Sequence, residues 1–188
     1  MDLETEIILK RYRFSVEAYH RMVEEGLFPS DVRVELLNGE IIEMTPINSL
    51  HAGTVKRLNH LLGVYFGQDI ILSIQDPVML NDFSEPEPDI AVLKFRPDYY
   101  TESHPTADEV MLVVEVADSS LKKDRMIKLP LYAAAGIREA WIVNLEDRVV
   151  EVYTQPSADG NSNMHIFRKG EPIETETVSG LSVDELLP

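Results

Sequence analysis

The stretch that decides the fold is Val110–Leu131, VMLVVEVADSSLKKDRMIKLPL. It opens with an apolar run, Val110 to Val116, rich in β-branched residues, which is how a strand buried on both faces reads. One carboxylate, Glu115, stands inside that run. Burying an isolated carboxylate costs several kcal/mol unless it is paired, protonated or bound to a metal. Asp118-Ser119-Ser120 then supplies a helix cap. The helix that follows carries Asp124 and Lys128 four residues apart, hence on one face. From Glu115 to the helix start is roughly 16 Å at strand rise, and from Ser120 to Lys128 roughly 12 Å at helical rise. A helix folding back along its strand therefore returns Lys128 to about the depth of Glu115.

Outward from this stretch, composition sets bounds. The 188 residues suffice for a sizeable core, and one domain over residues 1–188 is the expectation. Hydrophobic content of 44% and charged content of 27% are those of a globular chain. No apolar run approaches the roughly 20 residues that span a bilayer, and MDLETEIILK lacks the basic start of a signal peptide. With no cysteine there is no disulfide and no thiolate metal site. A cytoplasmic protein with no membrane attachment is expected. The net charge of −16 opposes simple electrostatic binding of nucleic acid but suits divalent cations held by carboxylates.

The rest of the chain reads as strands around a few helices. Glu6–Arg13 reads as a short strand. Ser15 caps a helix to about Glu25, closed by Gly26. Val32–Met44 alternates on either side of Asn38-Gly39, a strong hairpin signal. Asn48 or Ser49 starts a second helix to about Phe66, with His51 in its first turn. Asp69–Leu80 suggests one or two strands around Pro77. Glu85-Pro86-Glu87-Pro88-Asp89 is an acidic, proline-stiffened lead-in to a strand, Ile90–Leu93, and residues 95–108 read as a loop. Pro130 predicts a kink near Lys128, and Gly136 ends that helix. Ala140–Asn144 and Arg148–Thr154 make a hairpin, Gln155–Asn163 a loop, Met164–Arg168 a strand and Val183–Leu187 a terminal helix. The fold class is α/β, or mixed α+β: a central mixed sheet flanked by helices, with an N-terminal helix and β-hairpin.

Three acids sit where acids are awkward: Glu35 in the hairpin, Asp89 at a strand start and Glu115 in an apolar strand. Two converging carboxylates with a lysine suit a divalent-metal site, since Mg²⁺ takes oxygen ligands and keeps several waters. Such an ion polarises phosphoryl oxygens.

The order Pro88-Asp89, then Glu115 on a central strand, resembles the PD-(D/E)XK restriction-endonuclease-like nuclease superfamily. The longer series VELLNGEI, His51, EPDI, VVEVADSS, Asp124 with Lys128, and LYAAAGIREAWIVN resembles, from about Phe14 to Tyr153, a large bacterial family of restriction-endonuclease-like proteins. The resemblance implies a metal-dependent endonuclease hydrolysing phosphodiester bonds of DNA, with Mg²⁺ or Mn²⁺. It implies Asp89 and Glu115 as metal ligands, the Val116 carbonyl as a third, Glu35 as an auxiliary acid and Lys128 as the catalytic lysine. His51 and Asp124 would stand behind the ligands or on the substrate side. In the superfamily motif the lysine follows the acid by two residues; here Ala117 holds that position, so Lys128 would act from the helix. A homodimer is the expectation for a nuclease that cuts two strands.

Other readings of the same residues stand beside these. Glu35 also reads as an exposed strand residue, Asp89 as a strand start after proline, Glu115 as a structural group, Lys128 as a solvated partner of Asp124, and His51 first of all as a helix-start or core histidine. Lys122, Lys123 and Arg125 read as a solvated face or, alternatively, as contacts to a phosphate backbone, and Trp141 with Ala133–Gly136 as packing. His20, His60, His104 and His165 show no ligand spacing and are assigned nothing. A catalytically inactive nuclease-fold protein, acting as an interaction or regulatory module, is the alternative to an enzyme.

Overall fold

Ser15 starts the first helix of the computed structural model, which describes residues 11–188. The strand expected over Glu6–Arg13 falls mostly outside these residues, and 11–13 are not in a strand. Helix α1 is Val16–Glu24, with Ser15 Oγ accepting from the Ala18 N–H at 3.2 Å. Its buried residues Val16 and Tyr19 pack on Leu36 of the hairpin. The hairpin is β1, Val34–Leu37, and β2, Glu40–Glu43. Asn38 and Gly39 both have positive φ (52° and 79°), which the twist of a two-residue hairpin turn requires.

Helix α2 spans Ser49–Phe66, capped by Asn48, whose Oδ1 accepts from the His51 N–H at 3.0 Å. Strand β3, Ile70–Ser73, follows. Residues 74–89, where a second strand was possible, form an irregular strap, because prolines 77, 86 and 88 cannot donate to a ladder. The strap is pinned at points instead: Glu85 N–H donates to Leu36 O at 2.8 Å and Met79 N–H to Pro105 O at 2.9 Å. Strand β4, Ile90–Lys94, then enters the core.

Strand β5 is Val110–Ala117. Beyond it lie α3, Leu121–Lys123, a π turn over Asp124–Lys128, and α4, Leu129–Ala134. The expected kink takes the form of that wide turn. Pro130 lacks an N–H and its ring crowds the carbonyl four residues back, so the helix opens by one residue just before it. Strands β6, Glu139–Asn144, β7, Val149–Ser157, and β8, Gly160–Phe167, complete the main sheet. The loop expected over Gln155–Asn163 is thus mostly strand. Its polar residues hid the pairing because this end of the hairpin is largely exposed and shows no apolar alternation. A small pair, β9, Pro172–Glu174, and β10, Ser179–Ser182, too short and exposed to show a period in the sequence, leads to α5, Val183–Leu186.

The six-stranded sheet runs β3-β4-β5-β6-β7-β8. Only β5 and β6 are parallel, with Glu115 opposite Ile142. A parallel pair needs a crossover, which α3, the π turn and α4 provide. One face packs Val114, Val116 and Trp141 on Leu58 and Leu62 of α2 and Leu186 of α5. The other packs Val113, Ala117 and Ile142 under Leu129 and Tyr132 of α4. Glu115 shares the second face with Val113 and Ala117, so its carboxylate points at the crossover helix. Among the described residues, no helix is long and apolar enough to cross a membrane.

Candidate active site

Glu115 cannot stay unpartnered under α4. Tyr132 O–H donates to its Oε1 at 2.6 Å, and Lys128 Nζ lies 2.8 Å from the same oxygen. The same ammonium lies 3.3 Å from Glu35 Oε2 and donates to Glu87 O at 3.1 Å. Glu35 is fully buried at the hairpin's edge. It also takes Lys123 Nζ at 2.9 Å and the Glu87 N–H at 3.2 Å. The reading of Glu35 as an exposed strand residue is thereby corrected: the strap and the crossover helix cover the face that a free hairpin would leave open. Lys128 is likewise buried, not a solvated partner of Asp124.

Asp89, at the end of the strap, is held by three donors. The Val116 N–H (2.8 Å) and His51 Nε2 (3.0 Å) reach Oδ2, and Gln75 Nε2 (3.0 Å) reaches Oδ1. Gln75 adopts φ +57°, a costly conformation for a non-glycine residue, and from it the side chain reaches Asp89. Asp124 Oδ2 accepts from Ser120 Oγ at 2.6 Å. Asp89, Glu115, Asp124, Lys128 and His51 line one small pocket of about 70 Å³, whose rim includes residues 44–48. Glu35 lies behind it, and Val116 enters through its N–H on Asp89.

The protonation states follow from burial and neighbours. Burial pushes the Glu35 carboxyl up, but Lys128 and Lys123 outweigh it and hold the group below its ordinary value. Burial likewise opposes ionisation of Asp89, and His51, the Val116 N–H and Gln75 overcome it, lowering that pKa. Glu115 goes the other way: burial, helped by Asp124 and Asp89, outweighs Lys128 and lifts it to about 8. Lys128 is also raised, Glu115, Glu35 and Asp124 prevailing over its burial. These two directions pull against each other, since a charged lysine favours a charged partner. The fixed ion pair is Lys128 with Glu35, which is ionised at 3.3 Å, so Lys128 keeps its charge and Glu115 is the group that titrates. Asp124 is raised by burial. His51 is raised: burial would lower it, and Asp89 prevails.

A family model described as "Putative restriction endonuclease", Uma2, matches residues 16–186. The chain belongs to the Uma2 family. This is consistent with the restriction-endonuclease-like superfamily. A crystal structure described as that of a putative nuclease from Anabaena variabilis superposes with a TM-score of 0.69. It is 14% identical and covers 92% of this chain and 97% of that one, a likeness of fold. No curated protein matches the chain.

Several residues in or around this Uma2 pocket are not singled out by the sequence. Lys123 and Arg125 look like a solvated face, yet Lys123 pairs with Glu35, and Arg125 Nε donates to buried Glu151 at 2.9 Å. Glu87, paired with Arg33 at 2.5 Å, bridges the strap to the hairpin. Its signal was available: in an extended, proline-stiffened run, alternate acids at 85, 87 and 89 are constrained in direction. Gln75 and Tyr132 carried no local signal, because their contacts join segments far apart in sequence.

Proposed function

We propose that this Uma2 protein is a metal-dependent endonuclease that hydrolyses phosphodiester bonds of DNA. The supporting observation is the convergence of Asp89, Glu115, Asp124 and Lys128 on one small pocket. The donor set fits Mg²⁺ or Mn²⁺. Burial, with the neighbouring carboxylates adding to it, raises the pKa of Glu115 and Asp124, and among the described residues Glu115 Oε2 and Asp124 Oδ1 accept no hydrogen bond. Asp89, Glu115 and Asp124 do not form a three-ligand group within 4.8 Å. The ion would therefore lean on two carboxylates and the Val116 carbonyl, with water completing its shell, as Mg²⁺ prefers. When bound, it supplies Lewis-acid polarisation and an acidified water.

The chain's own residues do the rest in this reading. Glu35, itself neutralised by Lys123, keeps Lys128 charged and aimed at the pocket, where its ammonium offsets charge building on the phosphate. His51, Gln75 and the Val116 N–H fix the Asp89 carboxylate in one orientation. Glu115 gives up its proton when a cation arrives. Asp124 stands on the substrate side, next to Ser120. A homodimer, placing one pocket on each strand, belongs to the same reading and would be seen by sedimentation. Against the net charge of −16, bound cations would neutralise the pocket locally.

The test is Mg²⁺- or Mn²⁺-dependent nicking of plasmid DNA by wild type and Asp89→Asn. Wild type is expected to nick and the variant to lose at least about 100-fold, the scale of removing one transition-state contact. Equal activity in both would overturn the assignment and leave the non-catalytic interaction module.

A further inference from the structure

Away from the pocket, a second cluster joins three segments that sequence spacing never linked. His20 on α1, Glu85 on the strap and His104 on the 95–106 loop offer ligand atoms that all lie within 4.8 Å of one another. His20 Nε2 sits 2.6 Å from Glu85 Oε1, and the two imidazole centroids are 6.1 Å apart. Glu85 is only 2% exposed. Its second oxygen, Oε2, is buried with no hydrogen-bond partner among the described residues. A buried carboxylate with one oxygen orphaned is costly, and a cation is the partner that removes the cost. Arg13 and Arg33, in the hairpin region, are spent on Asn38 and Glu87.

The backbones that carry these ligands are fixed without any ion. Val16 N–H donates to Asp82 O at 2.8 Å, tying α1 to the strap. Glu85 N–H donates to Leu36 O, and Met79 N–H to Pro105 O, one residue from His104. Only side chains must move to close a coordination sphere. His104 is exposed and His20 partly so, which leaves them free to turn and leaves a further position open to water. Binding replaces the hydrogen shared between His20 and Glu85.

We propose that His20, Glu85 and His104 form a second metal site, which takes a borderline transition cation of the Zn²⁺ class and staples α1 and the 95–106 loop to the strap. Two imidazole nitrogens and one carboxylate oxygen select such an ion over Mg²⁺ or Ca²⁺, which favour all-oxygen shells. The pocket around Asp89 and Glu115 is mostly carboxylate and selects the opposite way. The two sites therefore separate by ion and by variant, and the second does not depend on whether the first is catalytic.

The test uses the full chain, stripped with chelator and titrated with Zn²⁺ by calorimetry, and with Co²⁺ by visible absorption. One Zn²⁺ site is expected in wild type and in Asp89→Asn. It should weaken in both His20→Ala and His104→Ala by more than the roughly 10–100-fold that loss of an outer-shell partner costs. His104 is exposed on a loop, so His104→Ala should fold, and its thermal midpoint should no longer rise with Zn²⁺. Wild-type affinity in either histidine variant, or no Zn²⁺ uptake by wild type, overturns the proposal.

Discussion

Replacing Lys128 by methionine keeps the buried stem and removes only the charge. In the wild type that charge stands 2.8 Å from Glu115 and 3.3 Å from Glu35. At an effective dielectric constant of about 20 the attraction to the ionised Glu35 is about 5 kcal/mol before desolvation, while Glu115, mostly protonated near neutral pH, contributes a charge-assisted hydrogen bond. Desolvation of the ammonium offsets most of this, and removal of one member of a buried pair costs about 3–5 kcal/mol net. Two features place Lys128→Met near the lower end. Glu35 retains Lys123 at 2.9 Å, and Glu115 can keep its proton instead of standing bare. The expected loss is therefore about 3 kcal/mol near pH 7, a large share of the ~5–15 kcal/mol that holds a domain together. The pH dependence has a definite sign. A carboxyl whose folded pKa is raised, here from 4.5 to about 8, contributes stability that is full below 4.5 and lost as pH rises through 8. Without Lys128 the folded value climbs further, so the variant should lose stability at higher pH than wild type does. Urea unfolding followed by circular dichroism at pH 6, 7.5 and 9, with chelator present, measures both effects. A loss under about 1 kcal/mol at neutral pH, typical of exposed pairs, would refute the picture of a dry Lys128–Glu35–Glu115 cluster.

Three further outcomes are expected. Tyr132→Phe removes the O–H that donates to Glu115 at 2.6 Å and should lower the urea-derived stability by about 1–3 kcal/mol. Gly39→Ala puts a Cβ 2.6 Å from the Arg13 Cβ at a φ of +79° and should cost about 1–3 kcal/mol in the same assay, unlike Gly53→Ala, where nothing lies within 4 Å. Binding of Mn²⁺ at the pocket must strip the proton from Glu115, so calorimetric affinity should fall about tenfold per pH unit below 8, and this slope should vanish in Glu115→Gln.

The sequence was most readable where one segment decides its own fate. Asn38-Gly39 permits little but a tight hairpin, Ser15 and Asn48 cap as such residues do, and the β-branched run at Val110–Val116 reads as a doubly covered strand. The strand-and-helix rises even gave the depth at which Lys128 meets Glu115. What was hidden depends on segments meeting. Glu35 looks like half of an alternating, half-wet hairpin until the strap lies across it. Lys123 and Arg125 look solvated because their partners, Glu35 and Glu151, come from elsewhere. His20 and His104 are separated by most of the first half of the chain, so no spacing rule could join them. The outer part of β7 and β8 shows the converse: its pairing is backbone-driven, and mostly exposed side chains leave no period to detect.

Ala117 and Lys128 are two halves of one arrangement. A lysine at 117 would lie on the same strand face as Glu115, two residues along, and that face is where the crossover helix packs. Ala117 is 1% exposed and belongs to the cluster with Leu129 and Tyr132, so its small side chain is what lets α4 close over β5. Once the helix is that close, an amine cannot come from the strand without prying it away, but it can come from the helix itself. The wide turn at Asp124–Lys128 brings both charged groups inward just ahead of Pro130, where the backbone is already relieved of one hydrogen bond. Closure of α4 also delivers the Tyr132 hydroxyl to Glu115, which a strand-borne lysine would not require. Moving the positive charge from strand to helix thus ties the pocket's electrostatics to the packing of the crossover, and loosening either one should disturb the other.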